Sequence, residues 1–400
     1  MLGFAYFHGN GNRWFLSCVR VRISEIKEIA SYSLGKANAM RHGVTRVVAV
    51  IGVVAVVASA GHAAAAHRDP GEVQVDESFT GATADSRFIG YGAACLTGAP
   101  RGKAAAEATN HPLGRCRRDP AGPVPPGNAA PHGYLQLTDA HVEQTGAALF
   151  DSPIPAQDGL VVTFEQWQYG NTTRAPADGI SFFLTDGDLS LTTPGAFGGS
   201  LGYAQKLPGD RSAAQFVPGV NGGYLGIGLD VLGEYFGDAE RRGNKCEKRS
   251  PAGTASRSSA PGPNIVTARG PGNGVEGYCL IDATTSNKTS TGSWPSTLPG
   301  QLHGNLKKLP ATATPGRAEG LLEPVKRIVR ITVSPGPAPM ATVDIDFLDG
   351  DGFQRALRFR APKPVPDTFK FGFAASTGPL TDVHLIRRLV LSPSASRHVR

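Results

Sequence analysis

The sequence has few stretches in which apolar residues recur with the period of an amphipathic helix. It has 51 glycines and 31 prolines among its 400 residues, and this usage is well above average. Its apolar runs are short, rich in Val, Ile and Phe, and bounded by Gly, Asp and Asn. These features exclude a helical protein and favour an all-β domain with long loops.

The chain also lacks an apolar run long enough to span a membrane. The longest one, Val47–Ala60, is short of the roughly 20 residues that a spanning helix needs. A basic segment, Met40–Arg46, precedes it, and four alanines with an Ala-x-Ala pattern end just before His67. This order predicts a signal peptide over residues 40–66. An uncleaved anchor helix is the alternative, and the length of the run argues against it.

The placement of this segment bears on where the protein begins. A signal peptide should open the chain, yet 39 residues precede Met40. We therefore expect Met40 to be the true start and residues 1–39 to be an over-extended gene model. The mature domain is then predicted over residues 67–393, with a short tail over 394–400.

Positive charge is scarce once the leader is set aside. Residues 1–46 carry seven Lys or Arg and two Asp or Glu, and so contribute +5 of the formal net charge of +7. The remaining residues are close to neutral, which argues against a nucleic-acid surface.

Cysteines are few, and no Cys-x-x-Cys spacing suggests zinc. Cys18 lies in the leader, and the other four are Cys95, Cys116, Cys246 and Cys279. An even number after an export signal predicts disulfides. Of the three connectivities, Cys95–Cys116 and Cys246–Cys279 are favoured because each pair flanks a loop-like insertion.

Two familiar metal-site motifs are also missing. There is no His-Glu-x-x-His, and no twelve-residue EF-hand loop follows Asp349 and Asp351. These two aspartates are instead predicted to lie in a hairpin turn.

At least ten short runs have the length and composition of strands. Two of them place an aspartate at a strand boundary: Asp178 begins the run that continues to Leu184, and Asp230 ends the run from Gly222. Both are therefore expected at the rim of a sheet, where loops carry binding groups. Asp is also common in turns at strand ends, so a purely structural role is the alternative.

The order of several motifs resembles one known family. The motifs are Phe164-Glu165-x-Trp167, Ala177–Leu184, Gly198–Tyr203, Gly223–Asp230 and Phe371–Gly378. In this order they resemble the legume-type (L-type) lectins, in particular their secreted bacterial relatives, over roughly residues 76–393. The resemblance implies a concanavalin A-like antiparallel β-sandwich of the jelly-roll type.

In such lectins an Asp that follows a cis peptide accepts from sugar hydroxyls, a glycine-rich loop offers a backbone amide, and calcium positions an Asn beside them. Carried over residue by residue, the resemblance implies a carbohydrate site and a metal site. The carbohydrate site comprises Asp178, Gly198, Gly199, Glu234, Gly378 and Leu380. The metal site comprises Asp230, the carbonyl of Leu232, Glu234 and Asp238, with calcium as the metal.

The chain departs from the family at two positions. Gly228 stands where the family has a manganese-binding Glu, and no counterpart of the metal-binding His is found near Asn264, so manganese is not expected. Glu234 stands where the family has the Asn, and a carboxylate lacks the amide donor.

The sequence therefore predicts a secreted, non-catalytic protein whose partner is a glycan or glycoconjugate, with no nucleic-acid partner and no membrane span after signal cleavage. One alternative is a lectin fold that has lost sugar binding and serves as an adhesive or structural module. A second is a glycoside hydrolase, although Glu234–Glu240 does not match the strand motif of laminarinase-like enzymes. The sequence says nothing about oligomeric state.

Overall fold

A computed structural model describes residues 2–10, 13–21, 74–103, 110–206, 217–255 and 262–394. The chain divides into two compact units, residues 1–66 and 67–400. In the first unit, β1 (Leu2–Asn10) pairs antiparallel with β2 (Arg13–Val21). The expected signal segment, 40–66, and most of the expected tail, 395–400, lie outside the described residues.

The second unit contains two antiparallel sheets. Ten strands of the described residues form the front sheet. They are β4 (Phe88–Gly92), β6 (Asn110–Pro112), β8 (Thr145–Pro155), β10 (Gly179–Asp186), β11 (Gly223–Asp230), β12 (Ile265–Arg269), β13 (Gly272–Asn273), β14 (Glu276–Gly277), β15 (Leu280–Ala283) and β19 (Thr368–Ser376). The central order is β11-β10-β19-β8-β4.

Eight strands of the described residues form the back sheet. They are β3 (Val75–Glu77), β5 (Cys95–Leu96), β7 (Leu135–Thr138), β9 (Leu160–Tyr169), β16 (Arg327–Val333), β17 (Met340–Asp346), β18 (Phe353–Arg360) and β20 (Val383–Ser392). The order runs β18-β17-β16-β9-β20-β7-β5, with β3 pairing with β20. The expected all-β antiparallel sandwich is confirmed.

Aromatic side chains from both sheets fill the space between them. Phe164 of the back sheet meets Phe373 of the front sheet with ring centroids 4.8 Å apart, and Phe182 lies 5.7 Å from Phe373. All three are essentially without solvent exposure. Because alternate residues of a strand point to opposite faces, Ile180, Phe182 and Leu184 together supply the inner face of β10.

The outer face of the front sheet is buried as well, beneath loops. Phe183 packs with Leu201 and Tyr203 in a second apolar cluster, and the Ser181 hydroxyl donates to the Leu201 carbonyl at 2.8 Å. Both faces of β10 are therefore covered, which explains why its sequence is almost continuously apolar rather than alternating. These loops also shape the site described below.

Short helical turns lie between the strands. The glycine-rich segment Gly198–Tyr203 contains a 3-10 turn over Gly198–Ser200. The polar stretch before β16 contains a short helix, α1 (Pro315–Leu322), capped by Thr314. Further 3-10 turns cover Ala239–Arg241, Ala252–Thr254 and Glu323–Val325. No helix of the described residues has the length and apolar character needed to cross a membrane.

Both expected disulfides are confirmed: Cys95 bonds to Cys116, and Cys246 bonds to Cys279. The expected hairpin turn that contains Asp349 and Asp351 joins β17 to β18, and there the Asp351 amide donates to the Asp349 carboxylate at 3.1 Å.

Candidate functional site

Three strand ends converge on Asp178, which lies directly before β10. Gly179, the first residue of that strand, pairs with Asp230 on one side and with Ser376 on the other. The Asp178 amide donates to the Ser376 carbonyl at 3.1 Å, and its carbonyl accepts from the Val231 amide at 3.0 Å. The antiparallel register thus brings together the two aspartates that the sequence places 52 residues apart.

The Asp178 carboxyl group is buried but incompletely paired. The residue is 2% exposed, and its Oδ2 accepts no hydrogen bond from the described residues. Burial raises the pKa of Asp178 well above its usual 3.8, and the nearby Glu234 and Asp230 raise it further, while Lys206 and Arg242 oppose the shift. The Ala177–Asp178 peptide bond is cis.

Backbone at two glycines closes in on this carboxyl group. A Cβ added at Gly378 would lie 3.3 Å from Asp178 Oδ2 and 3.6 Å from the Gly198 Cα. The Gly198 amide donates to the Thr377 carbonyl at 3.1 Å, so the Gly199 amide is left as the candidate donor to a ligand. The structure therefore brings Asp178, Gly198 and Gly378 together as the sequence implies.

Glu234 lies behind the glycine turn. A Cβ added at Gly199 would come 2.6 Å from Glu234 Oε2 and 3.0 Å from Arg242 Nη1. Only a glycine leaves room for both side chains, and Glu234 is half-buried there. The remaining expected sugar contact, Leu380, is half-buried and accepts the Gly378 amide through its carbonyl at 3.1 Å.

The segment Gly198–Gly202 also reads Gly-x-Ser-x-Gly, the letters of a hydrolase nucleophile elbow. Ser200 does not fit that role, because it is fully buried in a 3-10 turn. Its hydroxyl donates to the Gln205 carbonyl at 2.9 Å, and neither a strand before it nor a helix after it supplies an elbow.

Asp230, an expected metal ligand, stabilises a tight turn of the chain that follows it. Its two carboxylate oxygens accept the amides of Gly233 at 2.7 Å and Tyr235 at 2.6 Å. Burial raises the pKa of Asp230 to about 7, although these two amides act against the shift. The carboxylate thus organises the segment that follows, which we call the 230–238 loop.

Asp238, a further expected carboxylate ligand, is paired with two arginines. It accepts from Arg249 Nε at 2.8 Å, from the Ser250 hydroxyl at 2.9 Å and from Arg269 Nη2 at 3.2 Å. Burial alone would raise the pKa of Asp238, but Arg269 and these hydrogen bonds bring it below its usual value.

The residues present do not fit calcium in the way that the resemblance implies. Each carboxylate oxygen of Asp230 accepts a backbone amide, and Asp238 is already neutralised by Arg249 and Arg269. Within the described ranges, no group of three or more His, Cys, Asp or Glu side chains is arranged to hold a metal ion.

At Gly228, where the resembled family has its manganese-binding Glu, a neighbouring ring takes up the space of a side chain. A Cβ added at Gly228 would collide with the ring of Tyr235, and that ring is fully buried. A glutamate at residue 228 and the present position of Tyr235 therefore exclude each other.

An open cleft adjoins the Asp178 side of the molecule. It has a volume of about 250 Å³ and is lined by Glu143, Gln144, Thr145, Thr193, Pro194, Gly195, Phe197, Val217 and Pro218. The Glu143 amide donates to the Gly378 carbonyl at 3.0 Å, which links the cleft to the glycine beside Asp178. Lys206 lies against this wall, with its Nζ 3.8 Å from the centre of the Phe197 ring.

Sequence reasoning missed the cations around the site. Arg242 and Arg269 are both fully buried, and Lys206 pairs with Glu240 at 3.4 Å. A basic side chain normally remains in solvent, so only the folded contacts reveal these three.

No protein-family model matches the sequence, and no curated protein matches it. Solved structures do match. The exoplasmic/lumenal domain of VIP36 bound to Ca²⁺ and Man3GlcNAc is 14% identical, with 66% of this chain and 82% of that chain covered and a TM-score of 0.37.

Two plant lectins are similar to the same degree. Lectin I-B4 from Griffonia simplicifolia, in a metal-free form, is 15% identical over 65% of this chain and 87% of that chain, with a TM-score of 0.36. The Lotus tetragonolobus seed lectin is 14% identical over 80% and 97%, with a TM-score of 0.39. These likenesses are too remote to say what this chain binds, so the functional argument rests on its own residues.

Proposed function

We propose that this chain is a secreted, non-catalytic carbohydrate-binding protein whose site is centred on Asp178. The observation that carries the proposal is the buried Oδ2 of Asp178, which lacks a hydrogen-bond donor among the described residues. Leaving a buried carboxylate oxygen unpaired lowers the stability of the folded protein. A ligand that brings its own donors removes that cost.

Sugar hydroxyls are suitable donors. Each hydroxyl donates one hydrogen bond and accepts others, so a carboxylate and a backbone amide side by side complement a pair of hydroxyls. Asp178 supplies the acceptor, and we assign the amide to Gly199. Because Gly378 has no side chain, a ring can approach Asp178 Oδ2 closely.

The cleft beside the site can hold the rest of a glycan. Phe197 is half-buried and forms part of its wall, and aromatic rings pack well against the apolar faces of ligands. Glu143, Gln144 and Thr145 add polar residues to the lining of the cleft.

Export is supported by independent features. The predicted signal peptide precedes the domain, and both disulfides are of the kind that persists in oxidising compartments. The glycan would therefore be met outside the cytoplasm.

A glycan array tests the proposal. We expect the purified full-length chain to bind a defined subset of glycans, and Asp178→Asn to bind the same glycans much more weakly. Asp186→Asn is the matched control, because Asp186 is the last residue of β10, at the end of the strand far from Asp178. An array with no binding would contradict the proposal and favour an adhesive module that has lost its sugar.

The same glycans distinguish binding from hydrolysis. Glycoside hydrolases need two carboxyl groups that flank the scissile bond, and here Glu234 is the carboxylate whose charge acts most strongly on Asp178. We expect no release of reducing sugar on prolonged incubation. Release that is lost in both Asp178→Asn and Glu234→Gln would identify an enzyme instead.

A further inference from the structure

Two buried arginines bind the backbone of the 230–238 loop from the inside. Arg242 donates through Nε to the Gly237 carbonyl at 3.0 Å and through Nη2 to the Glu234 carbonyl at 2.9 Å. Arg269 donates through Nε to the Tyr235 carbonyl at 2.7 Å. Through Nη2 it reaches the Gly237 carbonyl at 2.7 Å and the Phe236 carbonyl at 3.3 Å.

The guanidinium group of Arg269 also neutralises the carboxylate of Asp238, the last residue of the loop. Arg269 Nη2 lies 3.2 Å from Asp238 Oδ1, and Nη1 donates to the Tyr278 carbonyl at 2.7 Å. Both arginines are 0% exposed. A buried charge is tolerated only when it is paired and hydrogen-bonded, and here Arg269 has a carboxylate and several carbonyls as partners.

This donor arrangement matches what a bound divalent cation does. Calcium gathers carboxylate and carbonyl oxygens from one loop and holds them in a fixed shape. A guanidinium group carries a fixed positive charge and five donors in a rigid fork, so it can collect the same oxygens without a metal.

We propose that Arg242 and Arg269 serve as the built-in cations of this site, and that they hold the 230–238 loop in its binding shape without calcium. The inference rests on the proposed function, because it assigns a positioning role at the same site. It replaces the calcium set that Asp230, Leu232, Glu234 and Asp238 were expected to form.

The 230–238 loop contacts both Asp178 and the glycine turn of the sugar site. The amides of Val231 and Leu232 donate to the Asp178 carbonyl at 3.0 and 3.4 Å. On the other side, Arg242 Nη1 lies 3.5 Å from the Ser200 hydroxyl in the glycine turn. Displacement of the loop would therefore shift Asp178 relative to the glycine turn.

Hydrogen exchange on the full-length chain tests the inference. We expect the amides of residues 231–238 to exchange at the same rate in excess calcium chloride and in EDTA. Arg269→Gln should speed their exchange by at least about tenfold, because local opening becomes easier, with a smaller effect on the rest of the sheet.

Arg249→Gln is the matched control, because Arg249 also contacts Asp238 but its side chain is 47% exposed. It should leave the exchange of the loop nearly unchanged. Arg269→Lys keeps the positive charge but loses the forked donors. Its loop amides should therefore exchange at a rate between those of Arg249→Gln and Arg269→Gln. If Arg269→Gln fails to fold, Arg242→Lys takes its place, with faster exchange again expected in residues 231–238.

Two results would overturn the inference. One is slower exchange of the wild-type loop in calcium than in EDTA. The other is equal exchange in Arg249→Gln and Arg269→Gln. The proposed function can fail independently of this inference. If the array shows no glycan binding but the exchange pattern is as expected, only sugar binding is contradicted. If glycans bind and EDTA abolishes the binding, only the role of the arginines is contradicted.

Discussion

At Asp178 the needs of folding and of binding oppose each other. The group titrates near 3.8 in an unfolded chain, and burial with nearby Glu234 and Asp230 raises its pKa in the folded protein. The folded state therefore holds the proton more tightly than the unfolded state does. Stability from this group is present at low pH and is lost as the pH rises above about 4 toward the folded pKa.

The substitution Asp178→Asn should relieve this loss of stability. We expect its Tm to exceed that of the wild type by more at about pH 8 than at about pH 4, because only the ionised carboxylate is penalised. Each kcal/mol recovered should raise the Tm by about 2–4 °C. Thermal melts at both pH values check this, with Asp186→Asn as the control. A variant that is less stable than the wild type at the higher pH would contradict the account.

Glycan binding should be linked to protons at the same residue. Sugar donors favour the ionised form of Asp178, so binding should release a proton wherever the free carboxyl is still protonated. Affinity should then rise by up to about tenfold per pH unit in that range. Titration calorimetry in buffers of different ionisation enthalpy measures the release. Binding without proton release at every pH would show that Asp178 is not the acceptor.

Gly378 offers a steric test of the site. A Cβ there would lie 3.3 Å from Asp178 Oδ2, and the residue does not have a positive φ. We expect Gly378→Ala to fold normally and to weaken glycan binding at least about tenfold, or about 1.4 kcal/mol. Gly114→Ala is the control, because an added Cβ there approaches no closer than 3.9 Å to another atom. Unchanged affinity for Gly378→Ala would place the sugar elsewhere.

The positions of single residues were predictable where they lie at the boundary of an apolar run. Asp178 and Asp230 each bound an apolar run, and a sheet rim follows from that position alone. The partners of the 230–238 loop were not predictable, since nothing local to Arg242 or Arg269 indicates which carbonyls will fold around it. The same limit explains the misfit with calcium. Asp230 and Asp238 are suitable ligands by residue type, and only the folded contacts show that Asp238 is paired with two arginines.

Among the elements, β11 depends on its glycines because large rings lie against it. An added Cβ at Gly226 would meet the ring of Tyr203, and one at Gly228 the ring of Tyr235. Both rings are fully buried, so they cannot move aside into solvent. The glycines of this strand are therefore packing positions and not turns.

Gly228→Ala should accordingly destabilise the fold by about 1–3 kcal/mol through overpacking. Gly320→Ala, in α1, is the matched control, because an added Cβ there meets nothing within 4 Å. Alanine favours the helix, so that change should be neutral or slightly stabilising. Urea denaturation of both variants checks the contrast, and equal stabilities would contradict the packing argument.

Short strands with clear boundaries were the most predictable elements. The run from Asp178 to Leu184 and the run from Gly222 to Asp230 agree with β10 and β11 to within two residues at each end. The helix α1 was not predicted, because it is only eight residues long and lies in a polar stretch. Its end is stabilised from outside, where Trp167 Nε1 donates to the Leu322 carbonyl at 2.9 Å.

For the molecule as a whole, the two disulfides close the long loops that the sandwich carries. Cys246–Cys279 spans 33 residues and joins the chain that follows the 230–238 loop to the start of β15. Replacing both cysteines with serine should lower the free energy of unfolding by about 2–4 kcal/mol, since the unfolded chain regains loop entropy. Urea denaturation checks this, and an unchanged midpoint would contradict a stabilising role for the bond.

The class of the whole fold followed from composition and from the spacing of short apolar runs. The burial of both faces of the front sheet did not, because the covering loops have no periodicity of their own. Phe183 shows the difference: its position in β10 was predictable, and its packing against Tyr203 required the structure.

The most direct test of the central claim is a double-mutant cycle between Asp178 and one sugar hydroxyl. The glycan found on the array and its analogues that each lack a single hydroxyl would be titrated into the wild type and into Asp178→Asn. The account predicts one or two hydroxyls whose removal weakens wild-type binding by about 1.5–3 kcal/mol, the range for a hydrogen bond to a charged group, and has little effect in the variant. Equal losses in both proteins for every hydroxyl would show that Asp178 does not hold the sugar.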